Sequence, residues 1–218
     1  MRPSLRDAKT TEDVSAAVAS EASTITGRKV TCDMTGSDPQ IAREHGEAIL
    51  QDLELFPHVP VASIHTYGPG SARPDIPTDA AYAVTRHGTS NAIAFNAEFA
   101  GSSTKYHASL KGDADQGWVT AATPAGVAHH EFGHVLAQHT QTATSAKAHV
   151  SSKARTVGEK PSALTRDQIS GYAATNAHEL AAEAFSDVIT RGEDASSLSQ
   201  DVYALMDGAY RAAYGGGS

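Results

Sequence analysis

Five residues, His130-Glu131-Phe132-Gly133-His134, constrain the fold more than any other stretch of the chain. Upstream, Thr123 and Pro124 make a helix-opening pair: a capping hydroxyl, then a proline whose missing N–H costs nothing in the first turn. Helical spacing continues from there to about Gln138. On a helix, positions four apart lie on one face, one turn apart, so both imidazoles reach one ion. Zinc accepts neutral imidazole nitrogen at about 2.0–2.1 Å, and a catalytic site keeps one position for water. Glu131, beside the first ligand, meets that water, whose pKa the metal lowers toward about 7. His-Glu-x-x-His on a helix therefore reads as metal binding coupled to proton transfer. The alternative is a helix with two exposed histidines and a solvated glutamate. Gly133 argues against it, because glycine inside a helix costs about 1 kcal/mol relative to alanine and makes sense where something approaches closely.

Two histidines need a third ligand. His139 lies five residues after His134, whereas the extended metzincin pattern places its third histidine six residues on, with a glycine between; Thr140 and Ala137 occupy those places here. His139 is therefore assigned to solvent or a core edge. The single cysteine, Cys32, excludes an internal disulfide framework and a Cys-rich zinc site. It reads as a small core residue. The better candidate is Glu179, in a helix expected over residues 176–190 whose core face carries Leu180, Ala184, Phe185, Val188 and Ile189. Glu183 lies one turn on, placed to accept a hydrogen bond from a ligand histidine's second nitrogen. His178 is an alternative ligand, but it points about 100° round the helix from Glu179. Asp187 is a further fallback.

With these residues in hand, the sequence resembles the lethal-factor-type gluzincins: zinc metalloprotease domains like the catalytic domain of anthrax lethal factor, including phage-encoded relatives. The resemblance rests on His130 to His134 and on residues 172–185, which hold Tyr172, then Thr175-Asn176, then Glu179, Ala182, Glu183, Ala184 and Phe185. It covers well under a third of the chain. It implies Zn²⁺ held by His130, His134 and Glu179, with Glu131 as general base. It also implies Tyr172 as donor to the substrate or its developing oxyanion, and Glu183 behind the ligands. The activity implied is zinc-dependent endopeptidase, on a protein or peptide substrate. The sequence is also similar to intracellular zinc proteases that cleave phage repressors, since Glu179, Ala182 and Phe185 fit their second helix. Tyr172, seven residues before Glu179, favours the lethal-factor type. A third reading is a catalytically silent, zinc-stabilised structural module of a phage assembly protein.

Elsewhere the pattern is of helices around a small strand-rich middle. Thr10 to Asp13 reads as a capping box, and the helix it opens stops at Gly27. Residues 29–34 read as a strand. Asp38-Pro39 starts a helix that Pro57 and Pro60 end. Val61–Tyr67 alternates like a strand. Residues 68–80, rich in Gly and Pro, read as a loop. Residues 81–86 and 91–96 read as a hairpin about His87-Gly88, and 91–96 is the candidate edge strand for an extended substrate. Residues 101–117 read as irregular, residues 140–163 as a surface insertion with at most one solvated helix, and residues 197–214 as a last helix. His45, His58, His65, His87, His107 and His149 show no ligand spacing and read as surface or satisfied polar residues.

These elements give an α+β fold; the resemblance refines it to a small mixed or antiparallel sheet packed with the zincin active-site helix and C-terminal helices. The expected organisation is an N-terminal helical segment over 1–28, the metalloprotease domain over 29–214 and a flexible tail over 215–218. With 218 residues and 40% apolar content the chain has enough material for a core without staples. A net charge of −8 argues against a nucleic-acid partner, which calls for a basic face. No stretch approaches the roughly 18 consecutive apolar residues of a membrane span, and the polar start lacks a signal peptide's apolar region. A cytoplasmic or virion-associated protein without membrane contact is expected.

Overall fold

The computed structural model describes residues 1–71, 73, 81–87, 91–120 and 122–215. The fold is α+β, with ten α-helices and a four-stranded mixed sheet among the described residues. The chain divides into two compact units, Met1–Ser109 and Leu110–Ser218.

In the first unit, Pro3 opens a short helix, α1 (Pro3–Asp7), that buries Leu5. The expected capping box closes α2 (Thr11–Thr26): Thr10 Oγ1 accepts from the Asp13 N–H at 3.2 Å and the Asp13 carboxylate accepts from the Thr10 N–H. A short strand, β1 (Thr31–Asp33), leads to α3 (Pro39–Leu55), whose N-cap Asp38 accepts from the Gln40 N–H at 2.8 Å. The sheet is completed by β2 (Val61–Tyr67), β3 (Ala83–Arg86) and β4 (Asn91–Asn96). Its order is β1-β2-β4-β3. β1 and β4 both run parallel to β2, and β3 pairs antiparallel to β4, as the hairpin reading expects. Ile64 and Ile93, opposite one another in register, are fully buried.

This order corrects one expectation. β4 is flanked on both sides, so it has no free edge to offer an extended substrate; the edges belong to β1 and β3. Apolar content explains the place: Ile93, Ala94 and Phe95 are all fully buried, as suits a strand covered on both sides. The Gly/Pro-rich loop lies mostly outside the described residues, as do Gly88 of the hairpin and the last three residues of the tail.

α4 (Ala97–Ala100) follows directly on β4, and α5 (Ser103–Asp115) replaces the irregular segment expected there. The two large hydrophobic side chains of α5 are Tyr106 and Leu110, four apart and both fully buried. One stripe of two large side chains is enough to seat it, though too short to show as periodicity.

The second unit is helical. α6 (Pro124–Thr140) carries the His-Glu-x-x-His residues behind its Thr123 cap, and α9 (Ala177–Arg191) crosses it closely. A Cβ on Gly133 would stand 3.0 Å from Ala182 Cα and 3.1 Å from Phe185 Cβ, so the glycine is what allows this approach. Ser186 Oγ ties the crossing by donating to the Gly126 carbonyl at 2.8 Å. The expected surface insertion is instead α7 (Ala143–Val157) and α8 (Pro161–Gln168). α7 is not a solvated helix: Ala143, Ala146, Val150 and Ala154 form a buried stripe at helical spacing, and it packs against α8, α9 and α10 (Ser197–Tyr214). Among the described residues, no helix is long and apolar enough to cross a membrane.

Candidate metal centre

The α6–α9 crossing brings one face of each helix together. The Asn176 side chain caps α9, accepting from the His178 and Glu179 N–H groups at 2.9 and 3.0 Å, and so fixes Glu179 in the first turn. Glu179 Oε2 lies 3.1 Å from His130 Nε2 and 3.2 Å from His134 Nε2. Three ligand atoms thus converge within 4.8 Å of one another. His130 and His134 reach this point from consecutive turns, their rings nearly perpendicular with centroids 4.7 Å apart.

Do these residues fit a metal ion? Glu179 Oε2 is buried and makes no well-formed hydrogen bond among the described residues, despite its closeness to both imidazoles. Donors about 2.0–2.1 Å from a shared tetrahedral centre stand about 3.3 Å apart, close to the two separations seen. Two imidazoles and a carboxylate, with a position left open, suit zinc, although several other first-row divalent ions accept the same donors. The electrostatics agree. Burial works against a charge on His130, but the carboxylates of Glu179 and Glu183 outweigh it and raise its pKa. Burial pushes Glu179 up, and the imidazoles of His130 and His134 pull it down further, below the usual carboxylate range. The cluster stabilises positive charge.

Behind His130 stands Glu183, 3% exposed. Its Oε1 is 2.8 Å from His130 Nδ1. Against a carboxylate that nitrogen is the donor, which leaves the Nε2 lone pair facing Glu179 Oε2, where the three candidate ligand atoms meet. The other oxygen of Glu183 accepts from the Ser170 hydroxyl at 2.7 Å and the Thr120 N–H at 2.9 Å. Sequence reasoning found Glu183 and missed Ser170 and Thr120, which carry no spacing signal relative to either helix.

Tyr172 joins the site through the backbone. Gly171 and Tyr172 donate their N–H groups to the carbonyls of Gly117 and Trp118 at 2.8 and 2.9 Å. The Tyr172 ring stacks on His130, 14° from parallel with centroids 5.6 Å apart. Burial and the nearby carboxylates of Glu179 and Glu131 raise its phenol above its ordinary value, so the hydroxyl stays protonated and able to donate. Glu131, 5% exposed, lies within electrostatic reach of both His130 and Tyr172.

The alternative ligands are elsewhere. His178 is exposed. His139 Nε2 is 2.7 Å from the Tyr214 hydroxyl. Asp187 accepts from Arg191 Nη1 at 3.1 Å and from the Ser196 N–H at 3.2 Å, a structural role. Cys32 is half-buried, its thiol pushed up to about 12 by burial, as befits an inert structural cysteine. His45 departs from expectation: it is fully buried in the first unit, stacked 3.7 Å from the Phe95 ring, and neither ring nitrogen has a partner among the described residues. His65 is also buried, with Nε2 likewise unpartnered. No protein-family model, curated protein or solved structure gives a significant match to the chain.

Proposed function

We propose that the chain is a zinc-dependent endopeptidase. The observation that carries this reading is the convergence of His130 Nε2, His134 Nε2 and Glu179 Oε2 at separations suited to one ion, with Glu131 on the same helix. Bound to these donors, zinc would supply an acidified water and a Lewis acid for the carbonyl oxygen. Glu131 accepts a proton as the water oxygen bonds to the peptide carbon, and returns it to the amine nitrogen as the C–N bond breaks. The Tyr172 hydroxyl donates to the oxygen that gains negative charge. Glu183, held by Ser170 and Thr120, keeps His130 oriented.

Metal content and cleavage of unfolded casein, measured on wild type and Glu131→Gln, test this reading. The expected result is about one zinc per chain in both and cleavage reduced by about 10²–10⁴-fold or more in the variant. Retained cleavage in Glu131→Gln refutes the mechanism, and a zinc-loaded wild type inert toward peptides refutes the activity.

A further inference from the structure

Trp118 is the one tryptophan of the chain and remains 46% exposed. It is not exposed by looseness. Its N–H donates to the Asp113 carbonyl at 2.8 Å and its carbonyl accepts from Tyr172. Its ring lies where a side chain on residue 171 would be: a Cβ on Gly171 would stand 2.8 Å from Trp118 Cε3. A large apolar ring is thus held in a defined place at the surface. The ring also continues toward the chemistry. Trp118 and Tyr172 have centroids 5.6 Å apart, and Tyr172 and His130 are spaced alike. Three rings in succession lead from solvent to a metal-ligand candidate.

We propose that Trp118 determines substrate specificity: with Tyr172 it forms an aromatic wall that receives a bulky apolar side chain beside the bond to be cut. The inference rests on the peptidase reading for its substrate class. A rigid aromatic gives large contact area with little ordering cost, so the substrates are peptides carrying Phe or Leu near the scissile bond, not acidic or small-residue peptides.

The sole tryptophan is its own reporter. Zinc-loaded Glu131→Gln is titrated with capped pentapeptides Ala-Ala-X-Ala-Ala, X being Phe, Leu or Ala, while Trp118 emission is followed. The Phe and Leu peptides should shift the emission and bind about tenfold tighter than the Ala peptide. Equal binding of all three, or no change in emission, overturns the inference. In the wild-type background, Trp118→Ala should bring the ratio of kcat/KM for the Phe and Ala peptides from about tenfold to near one, and Trp118→Phe should restore most of it. An unchanged ratio in Trp118→Ala overturns the role of Trp118 and leaves the peptidase reading standing. Binding of the Phe peptide without cleavage by wild type does the reverse.

Discussion

Glu183→Gln isolates the support of the proposed metal ligand His130 from the ligand itself. The carboxylate accepts three hydrogen bonds, from His130 Nδ1 at 2.8 Å, Ser170 Oγ at 2.7 Å and Thr120 N at 2.9 Å. An amide of the same shape accepts at one end and donates at the other. With its oxygen toward Ser170 and Thr120, its NH₂ meets the Nδ1–H of His130. The ring then has to move its proton to Nε2, which closes that atom to the metal. Flipped, the NH₂ faces the Thr120 N–H, donor against donor. The first arrangement blocks the metal-facing nitrogen, and the second leaves one buried donor unpaired, at about 1–3 kcal/mol. Loss of such a partner behind a ligand histidine typically weakens metal binding about 10–100-fold, or about 1.4–2.7 kcal/mol; the two routes agree. Competition with a chromophoric chelator should therefore show a zinc Kd raised by about 10–100-fold, with stoichiometry intact at saturation. Thermal unfolding with and without zinc separates a site effect from a folding defect. A Kd within about twofold of wild type, in a chain where Glu179→Gln abolishes binding, would show that Glu183 does not orient His130. Ser170→Ala, which removes one of the three bonds, should shift the Kd in the same direction by only a few-fold.

Three further perturbations test other parts of the structure. Gly133→Ala gains about 1 kcal/mol of helix propensity but sets a methyl 3.0 Å from the Ala182 backbone, an overpacking worth about 1–3 kcal/mol. The denaturant midpoint should fall or hold, and a clear rise would mean that the helices part freely. Tyr172→Phe should lower kcat by about 10²–10³-fold and leave zinc affinity unchanged; an unaltered kcat removes the hydroxyl from the mechanism. His45, buried and neutral, has its pKa lowered from 6.5 to about 3 by desolvation. As pH falls below 6.5 the unfolded chain takes up a proton that the folded chain refuses. Stability is therefore lost progressively down to about pH 3, on the order of 4–5 kcal/mol in all. His45→Leu should flatten that part of the stability–pH curve in chemical denaturation, and an identical acid slope in the two proteins would refute the assignment.

The fold was legible where local chemistry marks a boundary. Thr10 and Asp13, Asp38-Pro39, Thr123-Pro124 and Asn176 all cap the helices their types announce. It was illegible where burial relies on small or sparse side chains. The buried stripe of α7 is three alanines and a valine, and it is blurred by Ala148 and Val157, which are apolar yet exposed. α5 is held by two large residues in thirteen. The place of β4 inside the sheet depends on which strands pair over long distances, and periodicity within one strand carries no such information. His45 belongs with these. A lone histidine has no spacing to betray it, and its place in the core follows from the packing of α3 on β4.

The candidate site divides along a similar line, and the division has a physical cause. His130, His134, Glu179 and Glu183 sit on two helices, and a helix converts sequence spacing directly into direction; once each helix is recognised, which side chains share a face follows. Ser170, Thr120 and Trp118 sit on irregular backbone, where no period relates position to direction. What places them is the pair of hydrogen bonds from Gly171 and Tyr172 to Gly117 and Trp118, a contact between segments far apart in the chain. That contact requires residue 171 to lack a side chain, because Trp118 fills the space. It also sets the ring of Tyr172 on His130. The candidate ligands can therefore be read from two helical segments alone, while their support and the proposed aromatic wall depend on a loop pairing. Substitutions at Gly171 should accordingly disturb Tyr172 and Trp118 together, before they disturb the two histidines on α6.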